Sequence, residues 1–530
     1  MNKGESVRKV LAAAVGIILG VIFLYLSWYS FRYTYYFTLQ YDESMAEAGD
    51  FLLLHLLTAV LVAAVFAAGR WLELRFCTKS GCDKAGVHGR VSRVEIICRV
   101  WLLLVMAFTL ILGIKWVGTV PTAPGADQYY IYSAAQEIMD GSYSTLLPDG
   151  YLGRYRFQIG LMQLFKWLFE ISGNREWKVI CYANAACIPV IILSGYSVLK
   201  MCYNKAFWQL IYCTAMLICL PLLFYTPFVY GELFFMAAGS AMTALVLLLL
   251  RTKKSWLILP IVILAVMAVW AKGTGWILII AAVIIIGLYV VRQRSGMLLL
   301  CAVLLVVGPL TANKLLTLHY EKASGIEMEE GIPSIAWIAM GTHAEGERRG
   351  GWYDGYNQDT YMELGCDREK TAQASLAFLK ERLSELAEEP KEFLTFYKNK
   401  TLTQWNVPLY ESLSTNNLFY DELPPLAEEI YYGELHWSCE GFMNEYHFFL
   451  CLGIVFAAAG IFACRERFYH TLPGVILIGS FLFSVIWEAK ARYIFPALPF
   501  MVIMAVYGWG SMTERIMEMI NQRRISGVTK

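Results

Sequence analysis

Uninterrupted apolar runs of about 18 residues or more recur along the chain, each long enough to cross about 30 Å of hydrocarbon. They fall near 7–29, 51–69, 95–117, 179–199, 207–225, 231–250, 255–271, 274–291, 297–316, 446–464, 471–487 and 493–510. Lipid satisfies no exposed backbone polar group, so runs of this length are expected to be helices. The expected fold is an all-α polytopic membrane protein with about 12 transmembrane helices. Only 16% of the residues are charged, against about 25% in a soluble globule. The net charge of +1 gives no electrostatic footprint for nucleic acid. The first run is too long for a signal peptide and a second span follows it.

Charge sets an expected orientation. Arg70, Arg75, Lys79, Lys84, Arg90, Arg93 and Arg99 crowd one loop, and Lys200/Lys205, Arg251/Lys253/Lys254, Arg292/Arg294, Arg465/Arg467 and Arg523/Arg524 mark others. Under the positive-inside rule these are cytoplasmic, with both termini. The stretch 156–171 would make a thirteenth span, but it is short and broken by Gln158, Gln163 and Lys166. It reads as an interfacial or partly re-entrant amphipathic helix. Four regions result: 1–94, a transmembrane hairpin and basic loop; 95–317, a core with an outer loop at 118–178; 318–445, an extracytoplasmic insert; and 446–530, the last spans and a basic tail. Within the insert, Leu376, Leu379, Leu383 and Leu386 keep helical spacing, and Pro390 ends that helix or opens the next.

The thirteen cysteines lie mostly in apolar runs and read as small buried hydrophobes. Cys77 and Cys82 share a loop without a second pair at zinc-site spacing. Neither a metal nor a disulfide is assigned.

Ionisable groups are costly near membrane depth, yet four sets of them fall at the same outer boundary. "GADQYY" places Asp127 just after a span, followed by Tyr129 and Tyr130. "TPFVYGELFF" places Tyr230 and Glu232 at a helix start. "VWAKGTGW" places Lys272 in a turn, and "WEAKARYIFPALP" places Glu488, Lys490, Arg492 and Tyr493 between two spans. Taken singly, each has a plainer reading. Lys272 snorkels, Glu232 complements a helix dipole, Asp127 is a loop acid, and Arg492 pairs with Glu488 at i,i+4. Together they suit an anionic lipid headgroup and a hydroxyl nucleophile. Cations stabilise a departing phosphate, arginine with a two-pronged fork, and a carboxylate takes the hydroxyl proton.

These motifs, in this order, resemble the GT-C superfamily of integral-membrane glycosyltransferases, in particular the bacterial family-39-like group related to protein mannosyltransferases and the lipid A aminoarabinose transferase. The resemblance runs from about residue 95 onward, and the first two spans look like an added hairpin. It implies an inverting transferase that moves a sugar from a polyprenyl-phosphate donor to a hydroxyl of an envelope glycan, glycolipid or protein. The reaction would take place at the outer face of the bacterial cytoplasmic membrane. Asp127 matches the loop-one catalytic acid and would be the general base. Lys272 and Arg492 would hold the donor phosphate, with Lys490, Arg154 and Arg156 assisting. Gln128 stands where many relatives carry a second acid, which weakens a metal between paired carboxylates; no cofactor is expected, and Glu232 or Asp140 would supply a second carboxylate. In the insert, "GTHAEGERRGGWYDGYN" brings His343, Glu345, Arg348, Arg349, Trp352, Tyr353 and Asp354 together, suited either to sugar recognition or to a tight turn. A flippase of lipid-linked sugars is the alternative from another class, and a glycan polymerase or ligase shares the phosphate chemistry. A flippase would carry polar groups at the bilayer midplane and internal repeats, and no repeat is present.

Overall fold

The computed structural model describes residues 3–38, 44–79, 93–344, 350–463 and 468–528. Cys82, Lys84, Arg90, Glu345, Arg348, Arg349, Arg465 and Arg467 lie outside them. Among the described residues, nine helices are long and apolar enough to cross a membrane. Three shorter apolar helices, Ala206–Leu217, Ser255–Ala271 and Leu472–Ile486, complete the twelve expected. The chain is a multi-pass, all-α membrane protein. The stretch expected to lie in the interface forms Ile159–Ser172, a helix of 14 residues. It rises about 21 Å and packs against Ala126–Met139 and Ile258–Ala271.

Several elements differ from expectation. The run near 207–225 is broken into Ala206–Leu217 and Leu220–Phe224, with Pro221 opening the second piece. The tenth span begins well before 446, as Glu434–Ala463. An antiparallel hairpin, Tyr33–Phe37 with Met45–Gly49, connects the first two spans. It is tied to Glu434–Ala463 by Thr34 Oγ1 on Asn444 Oδ1 at 2.7 Å and Asn444 Nδ2 on Asp50 Oδ1 at 2.7 Å. The first helix, Lys3–Ser30, lies along Glu434–Ala463, which also packs on Leu498–Val528. That second contact is a close backbone approach. A Cβ on Gly508 would stand 1.8 Å from the Gly453 carbonyl oxygen, so glycine is required where small residues let membrane helices approach.

The insert helix is Arg368–Glu388, capped by Asp367, whose side chain accepts from Glu369 N and Lys370 N. Pro390 opens the next helix, Pro390–Trp405. The buried face of the first is Thr371, Ser375 and Leu386, whereas Leu376 and Leu383 are exposed. Small polar residues fit that face because the short helix Ser334–Met340 lies directly against it.

Alternation of the twelve helices puts residue 30, residue 119, the 224–232 and 271–275 turns, and the 486–498 loop at one end of the bundle. This is the end that the positive-inside rule leads one to expect outside.

Candidate active site

Two helix ends meet first. Ile258–Ala271 ends at Lys272, and Glu232–Thr252 begins with Glu232. A cation at a helix C-terminus and a carboxylate at an N-terminus each complement the local dipole, and here the two side chains bond to one another, Lys272 Nζ to Glu232 Oε1. Gly231 makes the approach possible. Its φ is +96°, and a Cβ there would lie 2.0 Å from the Ala271 carbonyl oxygen. Glu232 is buried, and its Oε2 has no hydrogen-bond partner among the described residues.

Arg492 comes to the same place from the other end of the sequence. Lys490 is extended, 491–493 make a single tight turn, and Pro496 leads into the helix Leu498–Val528. The Arg492 guanidinium lies 5.1 Å from the Tyr230 ring centroid, 5.7 Å from Tyr493 and 5.8 Å from Phe228. Lys272 Nζ stands 5.5 Å from Tyr230 and 5.2 Å from Tyr493. Two cations thus share two tyrosine rings, at distances where cation–π attraction operates. Arg492 Nε is buried without a hydrogen-bond partner among the described residues.

Asp127 sits in the first turn of Ala126–Met139, beginning the segment between the third and fourth spans. It is partly exposed and faces a set of tyrosines. Burial raises the hydroxyl pKa of Tyr151, Tyr155, Tyr230 and Tyr353, and in all four the Asp127 charge raises it further. The carboxylate is therefore surrounded by phenols that stay protonated. The Tyr230 hydroxyl joins the two halves: it accepts from Gln158 Nε2 at 2.7 Å and lies 3.5 Å from the Tyr151 hydroxyl. Tyr130, stacked on Tyr151 at 5.1 Å, and Tyr129 are exposed beside it. Gln128 turns away from this face; its Oε1 accepts the Val229 N–H at 2.8 Å and holds the turn before Glu232.

Other expected residues are placed differently. Glu488 and Arg492 do not share a helix: Trp487 and Lys490 are extended, and Ala489 N donates to Gly351 O at 2.7 Å. The Glu488 Oε1 accepts from the Tyr493 hydroxyl at 3.3 Å. Lys490 points to the insert, 5.8 Å from the Trp352 ring and 5.9 Å from Tyr353. Trp352 is buried, with its Nε1 on Thr403 Oγ1 at 3.0 Å, so its ring is not open to solvent. His343 Nδ1 bonds Asp354 Oδ2 at 2.6 Å, and its ring packs on Tyr356 and Phe378. Burial works against ionisation of Asp354, yet the His343 bond and the Tyr356 N–H hold it below the usual carboxylate range. Arg156 clamps the ninth span to the insert, donating to Thr317 Oγ1 at 3.1 Å and Met328 O at 3.0 Å. Arg154 lies 5.7 Å over Tyr155, its Nε buried without a partner among the described residues. Asp140, at the far end of the Asp127 helix, pairs with Arg175 at 2.6 Å.

Three residues that sequence reasoning passed over belong here. Tyr151 and Gln158 complete the tyrosine cluster. Glu411, from the insert, is 2% exposed and accepts the Arg492 N–H on Oε1 at 3.1 Å. Among the described residues no group of His, Cys, Asp and Glu is arranged to hold a metal ion.

No family model matches the chain, and no curated protein does either. Seven chains of solved structures match. One is ArnT from Cupriavidus metallidurans in its apo state, similar with a TM-score of 0.32 and 13% identity over 78% of this chain and 77% of that one. So loose an overlap transfers no residue's role.

Proposed function

We propose that this protein is a GT-C-type membrane glycosyltransferase. It moves a sugar from a polyprenyl-phosphate donor to an acceptor hydroxyl at the outer face of the bacterial cytoplasmic membrane. The observation that carries the reading is the convergence of Lys272 and Arg492 on the Tyr230 and Tyr493 rings, beside a partly exposed carboxylate, Asp127. Two cations at headgroup depth suit a phosphate, and the adjoining carboxylate suits a hydroxyl.

In the reaction, Asp127 takes the proton of the acceptor hydroxyl as that oxygen attacks the anomeric carbon. The bond from that carbon to the phosphate oxygen breaks on the opposite face, so the configuration inverts and the electron pair stays on the phosphate. Lys272 and Arg492 stabilise that developing charge. The neutral tyrosines around Asp127 bond the sugar and acceptor hydroxyls. Glu232 keeps the Lys272 ammonium in place, and no bound metal is required by these steps. The acceptor is an envelope glycan, glycolipid or protein.

Membranes carrying the full chain, given labelled polyprenyl-phosphate sugars, test this directly. Transfer of label to an acceptor supports the reading. Label crossing the bilayer without transfer makes the protein a transporter of lipid-linked sugars.

A further inference from the structure

The segment 407–416 of the insert carries two adjacent non-glycine residues in the left-handed region, Tyr410 at φ 51° and Glu411 at φ 65°. Such conformations are disfavoured for residues with a Cβ and persist only where surroundings over-determine them. Here they do. The Tyr225 hydroxyl donates to the Tyr410 carbonyl. Tyr410 N bonds Val407 O at 3.0 Å, Ser412 N bonds Leu409 O at 2.9 Å, and the Glu411 carbonyl accepts from Thr415 N at 3.1 Å and Thr415 Oγ1 at 2.9 Å. The Tyr225 ring stacks on Phe495 at 4.4 Å, three residues beyond Arg492. These contacts bring the Glu411 carboxylate onto the backbone N–H of Arg492 at 3.1 Å.

We infer that Glu411 is a positioning residue that fixes the Arg492 turn from the insert and so sets the guanidinium over Tyr230 and Tyr493. This deepens, and rests on, the reading of Arg492 as the phosphate-binding cation. The physical argument is one of satisfaction. Arg492 N–H begins a tight turn and has no helical acceptor, and a buried donor without a partner is expensive. The Glu411 oxygen meets that need through the main chain, while the guanidinium lies over the Tyr230, Tyr493 and Phe228 rings. Its contribution is the acceptor oxygen, which glutamine also supplies. The insert is thus part of the anion site's wall as well as its neighbour.

The test uses the full chain in lipid nanodiscs without donor, so it stands whether or not sugar transfer is the activity. Arg492 modification by phenylglyoxal is followed by mass spectrometry, alongside the melting temperature. Glu411→Gln is expected to match wild type within about twofold, whereas Glu411→Ala raises the modification rate at least about tenfold, as loss of a buried donor's partner implies. Tyr225→Phe, an isosteric change that frees the same turn without touching Glu411, is expected to raise the rate by about threefold and folds even if the alanine variant does not. An unchanged rate in Glu411→Ala and Tyr225→Phe overturns the inference. So does a glutamine variant as reactive as alanine, because charge would then be what matters. With a donor in hand, Glu411→Gln keeping kcat and KM while Glu411→Ala loses kcat is the matching result. Failure of wild type to transfer any sugar counts against the enzyme reading alone.

Discussion

Lys272 and Arg492, 220 positions apart in sequence, hold their charges over the same ring: the ammonium is 5.5 Å and the guanidinium 5.1 Å from the Tyr230 centroid. Glu232 bonds the first of them, and Glu411 accepts the backbone N–H of the second.

Arginine and lysine are therefore not equivalent at 492. Arg492→Lys keeps the charge but loses the fork and the ring stacking. Binding of a polyprenyl-phosphate sugar should weaken by about 1.5–3 kcal/mol, roughly tenfold to a hundredfold, with the melting temperature little changed. A donor titration on the variant checks this.

Lys272→Met leaves the buried Glu232 carboxylate without its cation, a loss of about 3–5 kcal/mol when one partner of a buried pair is removed. Adding Glu232→Gln in the same chain should restore much of the thermal stability and none of the donor binding. Thermal melts and donor titrations on the single and double variants separate the two effects.

At Gly231 the backbone is left-handed and a Cβ would stand 2.0 Å from the Ala271 carbonyl oxygen. Gly231→Ala should lower stability by more than about 2 kcal/mol and push the Lys272 helix end away from Glu232. A melt within a degree of wild type would show that the turn relaxes freely.

Lys400 offers a pH test. It is fully buried in the insert and donates to the Gly341 carbonyl at 2.5 Å. Burial lowers its pKa from 10.5 to about 7, against the opposing pull of Glu488. Between those two values the unfolded chain holds the proton and the folded chain does not. Stability from this group therefore rises with pH across that window, and the burial penalty is fully present below it. Lys400→Met should flatten the rise in melting temperature between the ends of the window. An unaltered slope would locate the titration elsewhere.

The spans were legible because a bilayer demands long apolar helices, and no soluble fold imitates twelve of them. Asp127, Glu232, Lys272 and Arg492 were legible because charge near lipid is costly enough to stand out. Their partners were not. The i,i+4 spacing of Glu488 and Arg492 suggests a helix, whereas Ala489 bridges to Trp352. Glu411 and Lys400 sit among ordinary insert charges, and only the folded chain shows them buried beneath the site. Trp352, in a run suited either to sugar recognition or to a tight turn, is packed against Thr403 and Phe37, since aromatic composition alone does not tell which rings face solvent.

The most direct measurement of the central claim is sugar transfer by wild type and Asp127→Asn in membranes, with donor binding measured in parallel. The account expects transfer by wild type, and loss of about two orders of magnitude or more in the variant with donor affinity kept. Equal transfer by both would contradict Asp127 as the base and move that role to Glu232.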